Sequence, residues 1–228
     1  MAPGRCVVLV PVGSYIEPEC ARGLADLEAR GYTVRRLPGS SAIDQARNEL
    51  ANEALADGFD ELMWIDSDIS FQVDAIDLLR SHDLPMVCGI YAKKNTRALA
   101  CHLLHETSDV VFGKGGGLIE ILYAPTGFLY TRRDLYESIA EQEKLPVCNE
   151  RFGRAITPYF WPMPVVDGNG YWYLGEDFAF SERARRCGFD VMADTTIRLD
   201  HHGRYGYSWE DAGSTKSRYE TYNFHVSR

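Results

Sequence analysis

The chain predicts an α/β fold in which a Rossmann-like, doubly wound half merges with a mixed-sheet half. Three observations predict it. Residues 6–65 alternate strand, helix, strand, helix, strand. The first strand, Cys-Val-Val-Leu-Val, is apolar without alternation, as a parallel strand covered on both faces must be. Beyond residue 92 the pattern changes to short apolar runs, a glycine-rich tip and a stretch rich in proline and aromatics.

In order, strand 6–10 is closed by Pro11 and Gly13. Helix 19–30 places Cys20, Leu24 and Leu27 on one face and stops at Gly31. Strand 32–37 follows, then a turn through Pro38-Gly39-Ser40-Ser41. Ser41 with Asp44 makes a capping-box-like start to helix 42–56. That helix sets Ile43, Ala46, Leu50 and Ala54 on one stripe and ends before Gly58. Strand 61–65 breaks into Asp66-Ser67-Asp68. Ligands on such sheets bind beyond the carboxyl ends of the strands, where loops 11–15 and 66–68 both lie. The second half reads as helix 73–80, strands 86–91 and 99–104, and a hairpin of 110–112 with 118–123 around Gly113-Lys114-Gly115-Gly116-Gly117. Strand 128–131, helix 133–144, a long surface loop 146–170, helix 176–187 and strand 191–199 complete it. From residue 203 the chain is polar and tyrosine-rich, more a lid or tail than a core.

With 228 residues the chain is long enough for one domain with a substantial core. A net charge of −9 argues against nucleic-acid binding through a basic surface. No apolar run approaches the roughly 20 residues of a membrane span, so no integral membrane segment is expected. The opening MAPGRCVVLVPVG reads as a first strand rather than a signal peptide. The six cysteines (6, 20, 88, 101, 148 and 187) form no CxxC pair. They predict reduced, mostly buried thiols and a cytoplasmic location.

The strongest chemical signal is Met63-Trp64-Ile65-Asp66-Ser67-Asp68-Ile69, where an apolar strand delivers two carboxylates to the ligand-binding edge. One can hold a hard divalent cation while the other orients a neighbouring group or water; alone, the pattern also suits a solvated turn or helix cap. Glu176 and Asp177 open a helix after the aromatic stretch, as an N-cap or as a general base. Arg198-Leu199-Asp200-His201-His202-Gly203 ends a strand in two candidate metal ligands. Arg47 lies about 40° from Ile43 and about 20° from Ala54 around its helix, inside the apolar stripe. An arginine there must reach a nucleotide or its phosphates, or form a salt bridge with a nearby aspartate. Lys93 and Lys94 either meet an anionic ligand or stay solvated. Thr126-Gly127 allows backbone to come close to a bound ligand. Trp161, Tyr171, Trp172 and Tyr173 either stack on sugar rings or close a loop on the core.

The order of these pieces resembles glycosyltransferases of the GT-A fold, of the family-2-like kind that use nucleotide-diphospho-sugars. It is carried by Pro11-Val12-Gly13, Ala46-Arg47-Asn48, Trp64-Ile65-Asp66-Ser67-Asp68-Ile69 and Gly89-Ile90-Tyr91-Ala92-Lys93-Lys94. Thr126-Gly127-Phe128, Gly175-Glu176-Asp177-Phe178 and His201-His202-Gly203 continue it, so it spans residue 7 to about residue 207. The resemblance implies Mn²⁺- or Mg²⁺-dependent transfer of a sugar from a nucleotide-sugar donor to a glycan or other hydroxyl acceptor, inversion being favoured. It implies a nucleotide-binding half of about 1–92, a donor-sugar and acceptor half of about 93–203, and a lid or tail over 204–228. Pro11, Val12, Gly13, Arg47, Asp66, Ser67, Asp68, Lys94 and Gly127 would line the donor site. Asp66 would lie near the ribose or a metal-bound water, and Asp68 would ligate the metal. His201 would complete the metal ligands by its His-x-Gly spacing, with His202 left open. Asp177, beside Glu176, would deprotonate the acceptor.

Other classes fit less well. Asp66-Ser67-Asp68-Ile69-Ser70 also resembles the nucleophile motif of haloacid-dehalogenase-type phosphatases, but it stands on the third strand rather than the first, and no GDxxxD motif follows. A sugar nucleotidyltransferase would show a GxGxR loop where this chain has Val12-Gly13-Ser14-Tyr15. A non-catalytic sugar- or nucleotide-binding protein would need neither the late acids nor the histidines.

Overall fold

The computed structural model describes residues 3–39, 41–213 and 218–226. Strand β1 (Cys6–Val12) is buried at all seven positions, as its unbroken apolar run requires. Strands β2 (Thr33–Pro38) and β3 (Glu61–Ile65) flank it in parallel. The crossovers are α1 (Pro18–Ala29) and α2 (Ile43–Ala56). The pleat sends alternate residues of β1 to opposite faces. Cys6, Val8 and Val10 pack with Leu24 and Leu27 of α1 and with Ile76 and Leu79 of α3 (Asp74–Ser81). Val7 and Leu9 pack with Leu50, Ala51 and Ala54 of α2. On that second face lie also Tyr136 and Ile139 of α4 (Arg133–Gln142) and Phe180 of α5 (Glu176–Arg186).

Beyond β3 come β4 (Ile69–Phe71), β5 (Met86–Gly89), β6 (Asp109–Gly113), β7 (Leu118–Glu120) and β8 (Phe128–Arg132). Then follow β9 (Met163–Asp167), β10 (Gly170–Leu174), β11 (Met192–Asp194), β12 (Leu199–His202), β13 (Gly206–Tyr207) and β14 (Thr221–His225). The central sheet has seven strands in the order β2-β1-β3-β8-β5-β11-β7. Strand β8 runs antiparallel between β3 and β5, which makes the sheet mixed and joins its two parts. This is the α/β class, parallel half merging into mixed half, that the sequence predicts.

The topology positions the site. Because β8 is antiparallel, its amino end lies beside the carboxyl end of β3, with Phe128 opposite Ile65. Gly127 and Asp66 are therefore neighbours, and the Asp66 N–H donates to the Gly127 carbonyl at 3.0 Å. A small sheet, β13-β12-β4, sets His201 opposite Ile69, and the His202 N–H donates to the Asp68 carbonyl at 2.7 Å.

Several expected elements differ. Residues 99–104 form no strand; Leu99 and Cys101 are buried, but the segment makes only isolated bridges, Ala92 with Leu99 and His102 with Tyr123. Strands β6 and β7 do not pair with each other: β6 pairs with β14 and β7 with β11. Gly113 makes the parting, at φ +78° with room for no Cβ beside the Glu220 carbonyl. The loop expected over 146–170 contains β9, which forms a hairpin with β10. The strand expected over 191–199 is two strands in different sheets. It breaks where the Asp194 carboxylate accepts from the Thr196 N–H at 2.8 Å, a local turn that outcompetes the ladder. The segment after 203 is not merely a tail, since Trp209 and Ala212 are buried in the core and β14 edges β6. At the start of α2 the N-cap is Ala42 with no side-chain cap, so Ser41 and Asp44 form no capping box. Ile43, expected in the core, is 40 % exposed. Ser40 of the predicted turn lies outside the described residues, as do 214–217 and 227–228 of the tail.

Candidate active site

A cleft of about 390 Å³ opens at the carboxyl edge of β1 and β3, and Pro11, Gly13, Asp66, Ser67, Asp68 and Lys94 help line it. Val12 sits buried in the sheet beneath, while Arg47 and Gly127 lie behind Asp66. Tyr15, Ile43 and His202, unassigned or left open by the sequence, also line the cleft.

Arg47 is the buried pivot. It is 2 % exposed, donates to Asp66 Oδ1 at 2.8 Å, and stands 3.5 Å from Glu176 Oε1. The salt-bridge alternative is thus the one the side chain adopts. Burial works against its charge, but Asp66 and Glu176 outweigh that and raise its pKa. Among the described residues its Nη1 has no hydrogen-bond partner, and neither has the buried Thr126 Oγ1. Such orphans each cost about 1–3 kcal/mol unless water or a bound molecule takes them up.

Asp68 faces the other way. Its Oδ2 accepts from Lys94 Nζ at 2.5 Å and its Oδ1 lies 3.6 Å from His201 Nε2. Burial raises the Asp68 carboxyl, but His201 and Lys94 outweigh burial and hold it down to about 2. His201 Nδ1 lies 3.0 Å from the Ala92 carbonyl, which can only accept, so Nδ1 carries the proton. Nε2 is the ring nitrogen that faces the Asp68 carboxylate, and the two could share a bound cation. His202 is hydrogen-bonded to Ser70 Oγ at 2.7 Å instead. Among the described residues no group of three or more His, Cys, Asp or Glu is arranged to hold a metal. Asp68 and His201 are a two-donor set that could hold a cation only if it takes its other ligands from water or a bound molecule. Asp66 is not brought into that pair, being turned to Arg47.

Glu176 and Asp177 form the first turn of α5, and the N-cap is Gly175 rather than either acid. Asp177 Oδ1 accepts from the Phe178 N–H at 2.8 Å. Burial first, then the Glu176 carboxylate, push Asp177 up to about 6. Sequence reasoning missed Tyr91 as a site residue. Its ring meets His201 edge-on at 5.0 Å and its hydroxyl accepts from the Gly127 N–H at 3.1 Å. Burial, then Asp66 and Asp177, push its pKa well up. It lies in the expected strand 86–91, where an aromatic in an apolar run reads as core, but the strand ends at Gly89 and leaves Tyr91 beside the cleft.

Gly127 is required by that packing. A Cβ there would lie 2.2 Å from the Tyr91 hydroxyl and 3.0 Å from Asp66 Oδ2. Gly127→Ala is expected to cost about 1–3 kcal/mol by forcing buried Tyr91 aside. That corresponds to a melting point lower by roughly 2–12 °C in a thermal scan; an unchanged value would mean that Tyr91 moves freely.

No protein-family model matches this chain, and no curated protein matches it. Among solved structures it is similar to A197 from STIV, with a TM-score of 0.58 and 15 % identity over 91 % of each chain. That likeness is one of fold. A glycosyltransferase involved in the glycosylation of the major capsid of PBCV-1 aligns at a TM-score of 0.32 and 14 % identity, over 58 % of this chain and 62 % of that one. S. aureus TarS 1-349 aligns at 0.40 and 14 %, over 82 % of this chain and 57 % of that one. At those scores neither carries an argument about this chain. Among the described residues, no helix is long and apolar enough to cross a membrane.

Proposed function

We propose that the protein is a glycosyltransferase that moves a sugar from a nucleotide-diphosphate donor to an acceptor hydroxyl with inversion. The observation that carries this reading is the convergence of Asp68 and His201, distant in sequence, to 3.6 Å at the ligand-binding edge of an α/β sheet. Pro11, Gly13 and Ser67 form the walls against which the nucleotide lies, and Lys94 supplies a cation for its diphosphate. Asp68 and His201 would hold Mn²⁺ or Mg²⁺, which when bound neutralises charge on the leaving diphosphate. Asp177 takes the proton of the attacking hydroxyl; a carboxyl held near 6 is a stronger base than a free aspartate and is ionised at neutral pH. Glu176 keeps Arg47 in place, and Arg47 in turn fixes Asp66. A phosphatase using Asp66 as nucleophile is disfavoured, because its Oδ1 accepts from Arg47.

Calorimetry against UDP, GDP, CDP and dTDP, with and without Mn²⁺, tests the donor site. One nucleotide is expected to bind in a metal-dependent way, and Asp68→Ala to weaken it by about tenfold or more. Binding of none by folded protein would remove the basis of the reading.

A further inference from the structure

The structure separates the four aromatic candidates. Trp172 turns inward, with its ring 4.8 Å from His102 and 5.5 Å from Tyr123. Tyr171 and Tyr173 stand on the outer side of the β9–β10 hairpin, opposite Val166 and Pro164. Trp161 is different. It is 54 % exposed and lines a cavity of about 540 Å³ with Asp44, Gln45, Asn48, Asn149 and Arg154.

This is the chemistry of a sugar pocket. An exposed indole takes the apolar C–H face of a pyranose ring, while planar amide, carboxylate and guanidinium groups take neighbouring hydroxyls. A phosphorylated ligand fits less well, because the lining sets two carboxylates, Asp44 and Glu49, against the single guanidinium of Arg154. Asn48 spends its Oδ1 on the Phe160 N–H at 2.8 Å, which leaves its NH₂ as the donor it can offer.

The pocket is also pre-set. Asn52 donates to the Thr157 carbonyl and accepts from the Thr157 N–H, each at 2.9 Å, so the loop is stitched to α2. The Phe160 ring stacks on Phe180 of α5 at 4.4 Å, fixing Trp161 relative to the helix that carries Asp177 in its first turn. Ile43 lines the donor cleft and Asp44, the next residue, lines this cavity, so the two meet at the first turn of α2.

We propose that this cavity is a glycan subsite, where a pyranose unit of the acceptor, remote from the reacting hydroxyl, stacks on Trp161. Its assignment to an acceptor rests on the transferase reading; its sugar-binding chemistry does not. The test places the full chain on an array of oligosaccharides built from glucose, galactose, mannose, xylose and N-acetylglucosamine, then titrates hits by calorimetry. At least one should bind, and Trp161→Ala should weaken it about tenfold, with a smaller loss in Gln45→Ala. Both side chains are exposed, so the variants keep the fold. Binding of no oligosaccharide, or binding indifferent to Trp161→Ala, overturns the subsite. Nucleotide binding without oligosaccharide binding removes the subsite and leaves the transferase reading standing. Oligosaccharide binding lost in Trp161→Ala, with no nucleotide bound, keeps the subsite and sinks the transferase reading.

Discussion

Asp177→Asn is expected to lower transfer by about 10²–10⁴-fold while leaving nucleotide affinity unchanged, since it removes the proposed base and keeps the shape. In the parent protein, activity should rise with pH through about 6 as Asp177 loses its proton, and that limb should be absent from any residual activity of the variant. Stability moves the other way. The folded carboxyl, at about 6, holds its proton above the ordinary 3.8, so the unfolded chain ionises first as pH rises. The protein therefore loses stability between about 4 and 6, and the full cost stands above that. Asparagine escapes the cost, so the variant should be about 1–3 kcal/mol more stable at pH 7.5, with the gain vanishing toward pH 4. Denaturant melts at the two pH values check this. A variant that turns over normally would end the catalytic role, and one no more stable at pH 7.5 would show that the carboxyl is well solvated.

Arg47→Met should have the largest effect on the fold. It leaves the half-buried carboxylates of Asp66 and Glu176 with their shared, buried cation gone. Breaking a buried ion pair from one side costs about 3–5 kcal/mol. The melting point should fall by roughly 6–20 °C. Adding Glu176→Gln to the variant removes one of the stranded charges and should recover part of the loss, a coupling that a double-mutant cycle measures. Independent, additive effects would mean that Arg47 and Glu176 do not interact.

The first half of the fold was legible because periodicity was its cause. The unbroken run of β1 and the stripes of α1 and α2 follow from which faces are buried. Asp66 and Asp68 could be placed at the sheet edge for the same reason. What each carboxylate faces could not, because Arg47, Lys94 and His201 reach them from other elements. In the second half the strands are short and their partners remote. Residues 110–112 and 118–123 look like a hairpin locally, yet β6 takes β14, over a hundred residues on, as its partner. Tertiary pairing there overrides the local turn signal. Trp209 and Glu210 look like tail and are buried, because the ion pair of Glu210 with Arg198 lets a charged segment enter the core.

The antiparallel strand at the middle of the sheet bears on how the protein is made. When a ribosome has delivered the first 89 residues, β1, β2 and β3 can associate, but the free side of β3 has no partner until β8 emerges. At about 5–20 residues per second, residues 90 to 132 take roughly 2–9 s. Over that interval the nascent chain presents Leu62, Trp64 and Ile65 on a naked edge, which invites pairing with another chain or capture by a chaperone. For the same reason, cutting the chain between its halves should yield an aggregating fragment rather than a portable domain.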